Sequence, residues 1–223
     1  MTLNEMIYDV REKLKFNTED NPITDEYIAH LLNIKRNFFV KQRFSKFTRN
    51  IPEELKQIIC LDISPTDTID GEPCFGNISR SDSMMPAMME IGGRDSLIAV
   101  RVADINFPHL NIIPTERLPF VGENRWLQKQ LYVAYDADRY LYLKSGNSLH
   151  MNLKKIKVVG VFADPEAAYE INCSGDTTCE WFDSEYPMEP YLINDMIASV
   201  VQELGQTLNI PNDSVNNAHG EIG

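Results

Sequence analysis

Residues 131–143 read LYVAYDADRYLYL and contain two runs rich in Tyr, Val and Leu, separated by Asp136-Ala-Asp138. The runs Leu131–Tyr135 and Arg139–Leu143 are typical of strands, because aromatic and β-branched side chains pack well on a pleated surface. The acidic residues between them favour a hairpin-like turn. A further run of the same character, Ile156–Phe162, follows. This part of the sequence therefore predicts a meander of short antiparallel strands.

Two more strands are predicted upstream of the meander. The run Ile59–Ile63 alternates Ile and Leu with Cys and Asp, as in a strand buried on one face. Leu97–Ala103 is apolar and rich in β-branched residues, which also indicates a strand. Between them, Gly71–Arg94 contains two prolines and the pairs Met84-Met85 and Met88-Met89, so we expect an irregular segment. Its methionines suit either the filling of a core or a contact surface.

Helical patterns begin at the N-terminus. Apolar residues recur at helical spacing over Leu3–Leu14, and Thr2 with Glu5 has the spacing of a capping box. A second helix is predicted to start after Thr24, a suitable N-cap residue, and to run to about Arg49. The residues expected on the apolar surface of this second helix are Ile28, Leu31, Leu32, Phe38 and Phe39.

The order of elements predicts an α+β fold. An amphipathic helix is expected at 190–208, with Pro190 in its first turn. Because neither terminal helical segment can bury its apolar face alone, we expect the N-terminal helices and the C-terminal helix to form a small bundle, with an antiparallel β domain inserted. The predicted divisions are 1–50 for the N-terminal helical part, 51–165 for the β domain, 166–189 for an acidic loop, 190–208 for the returning helix and 209–223 for a flexible tail.

Charge is distributed unevenly along the 223 residues. There are 21 basic and 33 acidic residues, which gives a formal net charge of −12. The last basic residue is Lys157, so residues 158–223 contain twelve acids and no base, whereas the first 157 residues are neutral. Such an acidic segment repels DNA phosphates and suits either a basic partner or a solvated surface.

The second predicted helix has the opposite bias. No acid occurs between Glu26 and Glu53, and phenylalanines are interleaved with the cations of this stretch. These cations are Lys35, Arg36, Lys41, Arg43, Lys46 and Arg49. Basic residues near the end of a helix complement its dipole. A contact with phosphates or with an acidic neighbouring subunit is the alternative interpretation.

Motifs for catalysis, nucleotide binding and metal binding are absent from the sequence. It contains no G-x-x-x-x-G-K-[ST], G-x-G-x-x-G, H-E-x-x-H or G-x-S-x-G. Neither a signal peptide nor a transmembrane helix is predicted, so free thiols are expected. Cys60 is expected in the core, and a bridge between Cys173 and Cys179 is the alternative to free thiols. The sequence therefore predicts no enzyme, no metal site and no cofactor.

Four segments together resemble a known family. They are Asn4–Lys15, Ile23–Arg36, Leu153–Pro165 and Pro190–Asp195. In this arrangement the chain is similar, over nearly its whole length, to the neck ring (adaptor) proteins of tailed bacteriophages, especially the crAss-like phages. These proteins are related in role to the head–tail adaptors of short-tailed phages.

The resemblance implies a structural protein without catalytic residues. It implies a ring below the portal in the virion neck, with twelve copies around the DNA channel, assembled in the bacterial host cytoplasm. The implied partners are further copies, the portal, other neck or tail proteins, and genomic double-stranded DNA that passes without sequence-specific binding. No membrane partner is implied. The alternatives are a tail hub or completion factor and a DNA-binding accessory module, which the net charge of −12 disfavours.

Two interaction surfaces are hypothesised from this resemblance and the charge pattern. A heterologous interface that closes into a ring needs two different patches on each subunit. The six cations of the second helix are expected to face an acidic surface of the next subunit or of the portal. Acids that face the channel or a partner are expected to let DNA slide by repulsion. These acids are Asp164, Glu166, Glu170, Asp176, Glu180, Asp183, Glu185 and Glu189.

Overall fold

The computed structural model divides the chain into two compact units. The structure describes residues 1–14, 23–44, 51–69, 72–92, 94–102, 110–122, 126, 130–147, 152–173 and 181–208. Met1–Phe39 together with Phe182–Gly223 forms one unit, here called the helical unit. Val40–Trp181 forms the other, here called the strand unit. The chain therefore has the predicted α+β class, with helices at both ends of the sequence and strands between them.

Helix α1 (Leu3–Leu14) begins with the predicted capping box. The N–H of Thr2 donates to Oε2 of Glu5 at 2.8 Å, and the N–H of Glu5 donates to the hydroxyl of Thr2 at 3.2 Å. Two N–H groups that the helix itself cannot satisfy thus find acceptors. Met6 and Val10 are fully buried, which confirms the apolar face expected from the spacing.

Helix α2 (Asp25–Arg43) is capped by Thr24, whose hydroxyl accepts a hydrogen bond from the N–H of Tyr27 at 3.3 Å. The predicted end near Arg49 falls outside the described residues. The predicted apolar surface is partly wrong, because the side chain of Phe38 is 58% exposed. The buried apolar residues of α2 are Ile28, Ala29, Leu31, Leu32 and Val40.

A helix of the predicted length closes the described chain. Helix α4 (Pro190–Leu208) contacts α1 within the helical unit. It continues through Gly205, although glycine often marks the end of a helix. Its buried residues follow the expected helical spacing. They are Leu192, Ile193, Met196, Ile197, Val200 and Leu204.

Nine strands occur in the described part of the strand unit. They are β1 (Gln57–Ile69), β2 (Glu72–Ser81), β3 (Glu90–Ile91), β4 (Arg94–Asp95), β5 (Leu97–Val102), β6 (Asn111–Ile112), β7 (Leu131–Tyr135), β8 (Leu141–Ser145) and β9 (Lys155–Gly160). Seven form one sheet in the order β5-β9-β1-β2-β8-β7-β6, and β3 pairs with β4. Short 3₁₀ helices occur in the described chain at Glu53–Leu55, Thr115–Phe120 and Trp181–Asp183.

The large sheet is antiparallel at every pairing except one. Strands β6 and β7 are parallel, so the expectation of a purely antiparallel domain is wrong at this edge. The N–H of Leu110 donates to the C=O of Val100 at 2.9 Å, and β5 also contacts β6. The sheet therefore curls until its two edges approach each other. One buried side forms an apolar core that includes Ile59, Leu61, Val133, Leu143, Val158 and Phe162.

The prediction of an irregular segment over Gly71–Arg94 is wrong in its first half. Strand β2 lies in the middle of the sheet, between β1 and β8. Two of its serines, Ser79 and Ser81, are almost fully buried, and Ser81 accepts a hydrogen bond from the N–H of Leu141 at 3.2 Å. Small polar residues thus occupy positions where apolar residues would have revealed a strand.

The hairpin between β7 and β8 forms, but β8 begins two residues later than predicted. Arg139 has a φ of +64°, in the left-handed region, and its N–H donates to the C=O of Asp136 at 2.9 Å. The N–H of Tyr140 donates to Oδ1 of Asp138 at 2.9 Å. The turn therefore extends to residue 140, because the aspartates bind the backbone that follows them.

The segment predicted as an acidic loop, 166–189, contains a short helix. Helix α3 (Pro165–Glu170) is capped by Asp164, whose Oδ1 accepts hydrogen bonds from the N–H groups of Glu166 and Ala167 at 3.1 and 3.3 Å. Proline at the first helical position fits this start. The prediction of an unbroken loop is thus wrong, because the Asp-Pro-Glu sequence is itself a helix start signal.

The cysteines depart from the expectation of free thiols. Cys60 and Cys173 form a disulfide with a Cα–Cα distance of 4.8 Å, although they are 113 positions apart in sequence. The N–H of Cys60 donates to the C=O of Ile171 at 3.0 Å, so the segment after α3 runs beside β1 and brings the two thiols together. Cys60 is half-buried rather than a core residue. The alternative partner, Cys179, lies outside the described residues.

Candidate interaction surfaces

Charged side chains are spread over α2, α3 and the solvent-facing side of the sheet. The described ranges contain no helix that is long and apolar enough to cross a membrane. Within the same ranges, His, Cys, Asp and Glu side chains do not gather in groups of three or more that could hold a metal ion. The charged surfaces are therefore the features that can be compared with the predicted contacts.

Two of the six α2 cations make contacts inside the helical unit. Arg36 is fully buried; its Nε donates to the C=O of Pro187 at 2.8 Å, and its guanidinium also donates to Oδ1 of Asn37 at 3.3 Å. The ammonium of Lys35 lies 2.5 Å from the carboxylate of Glu203 on α4, and the Lys35 side chain is 23% exposed. The predicted surface role is therefore wrong for Arg36, and the charge of Lys35 is already paired within the chain.

Helical spacing explains why Arg36 is buried. Leu32 and Val40, four residues before and four after it, are both fully buried. Residues four apart lie on one face of a helix, so position 36 falls in the middle of the inward face. The sequence did not predict this burial, because a run of neighbouring cations is typical of an exposed basic surface.

The other four cations lie towards the end of α2 or beyond it. Lys41 and Arg43 are exposed in its last turn. That position is also favoured by the helix dipole, as the alternative interpretation states. Lys46 and Arg49 lie outside the described residues. Within the described chain, the basic surface of α2 is thus reduced from four residues to Lys41 and Arg43.

The predicted acids do not form one continuous group. Those on or beside α3, in the strand unit, are Asp164, Glu166 and Glu170. Those that precede α4, in the helical unit, are Asp183, Glu185 and Glu189. Those outside the described residues are Asp176 and Glu180.

The acids before α4 have structural contacts. Asp183 accepts a hydrogen bond from the side-chain amide of Asn4 at 2.6 Å, and the backbone of Glu185 pairs with that of Thr2. One carboxylate oxygen of Glu189 is buried without a hydrogen-bond partner among the described residues. Asp183 and the backbone of Glu185 therefore contact the N-terminal residues, which the distribution of charge along the sequence does not predict.

The α3 acids concentrate negative charge on one short helix. All three side chains are exposed, although the carboxyl of Glu166 is partly desolvated by its surroundings. This burial, followed by repulsion from Asp164 and Glu170, raises the pKa of Glu166 above its ordinary value of 4.5. A cation brought to this helix from another molecule would relieve that repulsion.

Glu166→Gln is expected to stabilise the protein slightly at neutral pH. The folded state holds the Glu166 proton more firmly than the unfolded chain, so ionisation above pH 4.5 costs the folded state free energy. Because the group is mostly solvated, we expect a gain in melting temperature of only about 1–2 °C at pH 7. Thermal melts from pH 3.5 to 7 should show the gain disappearing below pH 4.5. A gain of equal size at pH 3.5 would contradict this explanation.

The strand unit also carries cations that the sequence reasoning did not single out. Arg101 on β5 lies directly opposite Lys157 on β9, and both side chains are exposed. Lys155 on the same side of β9 lies 3.5 Å from the carboxylate of Asp62 on β1. The alternation of Lys with buried Ile and Val in β9 was a usable signal, since every second residue of a strand faces the same side.

The whole chain is similar to proteins of one phage family. The family described as phage tail ring protein 2 matches residues 5–222. Ring protein 2 of Bacteroides phage crAss001 is 35% identical over 227 residues, which cover 100% of this chain and 98% of that protein. Both findings confirm the expectation of a ring protein of a crAss-like phage. The chain belongs to the phage tail ring protein 2 family of the crAss-like phages.

Proposed function

We propose that the chain is a structural subunit of a ring in the virion neck, below the portal, and that the ring forms part of the DNA channel between head and tail. The observation that carries the proposal is the full-length similarity to ring proteins of crAss-like phages. A ring subunit needs interfaces rather than a reaction centre, so the proposal includes no catalytic activity. We expect twelve copies around the channel.

The proposed ring uses the C-terminal end of α2 as one contact. Lys41 and Arg43 are exposed there, and Lys46 and Arg49 follow in sequence. We propose that these cations face an acidic surface of the next subunit or of the portal. Opposite charges at such a surface steer association and fix the register of the partners.

The acidic last third of the chain has a second proposed role. Residues 158–223 contain no base, so any part of this segment that lines the channel repels phosphates. Repulsion lets double-stranded DNA pass without sequence-specific binding. Asp164, Glu166 and Glu170 are the exposed acids of the strand unit that we propose for this channel or for a partner surface.

The native mass of the purified protein, alone and mixed with portal or neck proteins, tests the ring. We expect a closed oligomer near twelve copies under at least one of these conditions. Lys41→Glu with Arg43→Glu should reduce that assembly by about tenfold or more, because like charges then meet across the interface. The matched control, Lys13→Glu with Arg117→Glu, reverses two other exposed cations and should assemble normally. A stable monomer under every condition would contradict the proposal.

A further inference from the structure

The solvent-facing side of β5 and β9 carries two neighbouring cations, Arg101 and Lys157, here called the cationic row. Arg101 and Lys157 are direct neighbours across β5 and β9, and both are exposed. The residues that alternate with them, Val100 and Val158, are fully buried. The sheet therefore holds both cations on its outer side, and neither can turn into the core.

Lys157 therefore lies beside a like charge. Like charges directly opposite each other on neighbouring strands destabilise a sheet. In the described part of the chain, Lys157 forms no ion pair and no side-chain hydrogen bond, in contrast to Lys155, which lies near Asp62. An anionic group supplied from outside would give Lys157 a partner of opposite charge.

The row beside these cations is apolar. Ile58 on β1 is 53% exposed and pairs directly with Val159 on β9, which is half-buried and also pairs with Ala99 on β5. Arg is enriched in protein–protein interfaces, and the buried core of such an interface is more apolar than the rest of the surface. A phosphate backbone would gain nothing from the apolar row. The combination therefore favours an acidic protein surface as the partner.

Helix α3 of the same unit offers charge of the required sign. Its exposed acids are Asp164, Glu166 and Glu170, and no base occurs in the sequence after Lys157. Within one copy, β1 separates the two surfaces: Cys60 pairs with Lys157 along one edge of β1 and binds Ile171 along the other. Two strand spacings are about 10 Å, a separation at which salt screens exposed charges.

We propose that the cationic row, with the adjoining Ile58, docks against the α3 acids of a second copy of this chain. The two surfaces differ and lie on one subunit, as a heterologous interface that closes into a ring requires. The inference rests on the proposed ring function and adds to it a specific contact between subunits.

Charge reversal tests this contact. Arg101→Glu with Lys157→Glu should weaken self-association by about a hundredfold, measured by native mass and light scattering over a concentration series, because the two new glutamates then meet the three α3 acids without a cation between them. The control pair, Lys13→Glu with Arg117→Glu, should associate like the wild type. Melting curves verify that each variant is folded before its mass is compared.

A charge swap identifies the partner surface. Adding Glu166→Lys and Glu170→Lys to the reversed protein restores opposite charges between neighbouring copies, and we expect assembly to return. Failure of this swap to restore assembly would overturn α3 as the partner. If the protein with the reversed cations assembles as the wild type does, the proposed contact is wrong and the proposed ring is not affected. If the wild type itself never assembles, the proposed ring is wrong as well. Reversal that abolishes DNA retention and leaves the native mass unchanged would assign the row to DNA instead.

Discussion

Arg36→Ala is expected to destabilise the helical unit by about 3–5 kcal/mol. The substitution removes the donor that satisfies the C=O of Pro187 and leaves a cavity where the fully buried Arg36 side chain was. Hydrogen bonds from charged groups contribute more than neutral ones, and a buried acceptor left without a donor is costly. The urea midpoint, followed by circular dichroism at 222 nm, should fall accordingly.

Lys35→Ala is the matched control for this substitution. Lys35 is the adjacent cation on α2 and pairs with Glu203, but its side chain keeps access to solvent. Partly exposed ion pairs contribute about 1 kcal/mol or less, so the control should shift the midpoint much less. Arg36→Lys should recover only part of the loss, because a single ammonium cannot reproduce the planar guanidinium fork. Equal effects of Arg36→Ala and Lys35→Ala would show that burial does not distinguish the two cations.

Arg36 also shows which kind of contact sequence patterns do not predict. Helices α1 and α4 and the cap of α2 followed from the sequence, because capping residues and apolar spacing act within a few residues of each other. Arg36 shares the buried face of Leu32 and Val40, although an arginine is expected to be exposed when only its residue type is considered. Its hydrogen-bond acceptor lies 151 residues away in sequence, and no local pattern contains that contact.

Strand β2 was missed for a related reason. Pairing on both edges, with β1 and β8, maintains it in the sheet even though Ser79 and Ser81 interrupt the apolar alternation. The backbone groups of a central strand are satisfied by its neighbours, so tertiary context overrides weak local propensity. The cationic row has the same origin, since Arg101 and Lys157 become neighbours only when β5 pairs with β9.

The disulfide joins two parts of the strand unit that matter for the proposed contact. Cys60 lies on β1 directly opposite Lys157 of the cationic row, and Cys173 follows the end of α3. The bridge therefore ties the segment that carries the acids to the strand beside the cations. Replacing it should affect both the stability of the strand unit and the geometry of the two surfaces.

Cys60→Ser with Cys173→Ser is expected to lower the free energy of unfolding by about 3–5 kcal/mol. The bridge links positions that are 113 apart in sequence, and a cross-link between distant positions removes the most conformational entropy from the unfolded chain. Urea unfolding of the oxidised wild type and of the variant measures the difference. Adding a phosphine reductant should bring the wild type to the stability of the variant and leave the variant unchanged. The control, Cys74→Ser with Cys179→Ser, retains the bridge and should still respond to reductant. If reductant leaves the wild type as stable as before, then the bridge between Cys60 and Cys173 does not hold α3 to β1, and the α3 surface is fixed by backbone pairing alone.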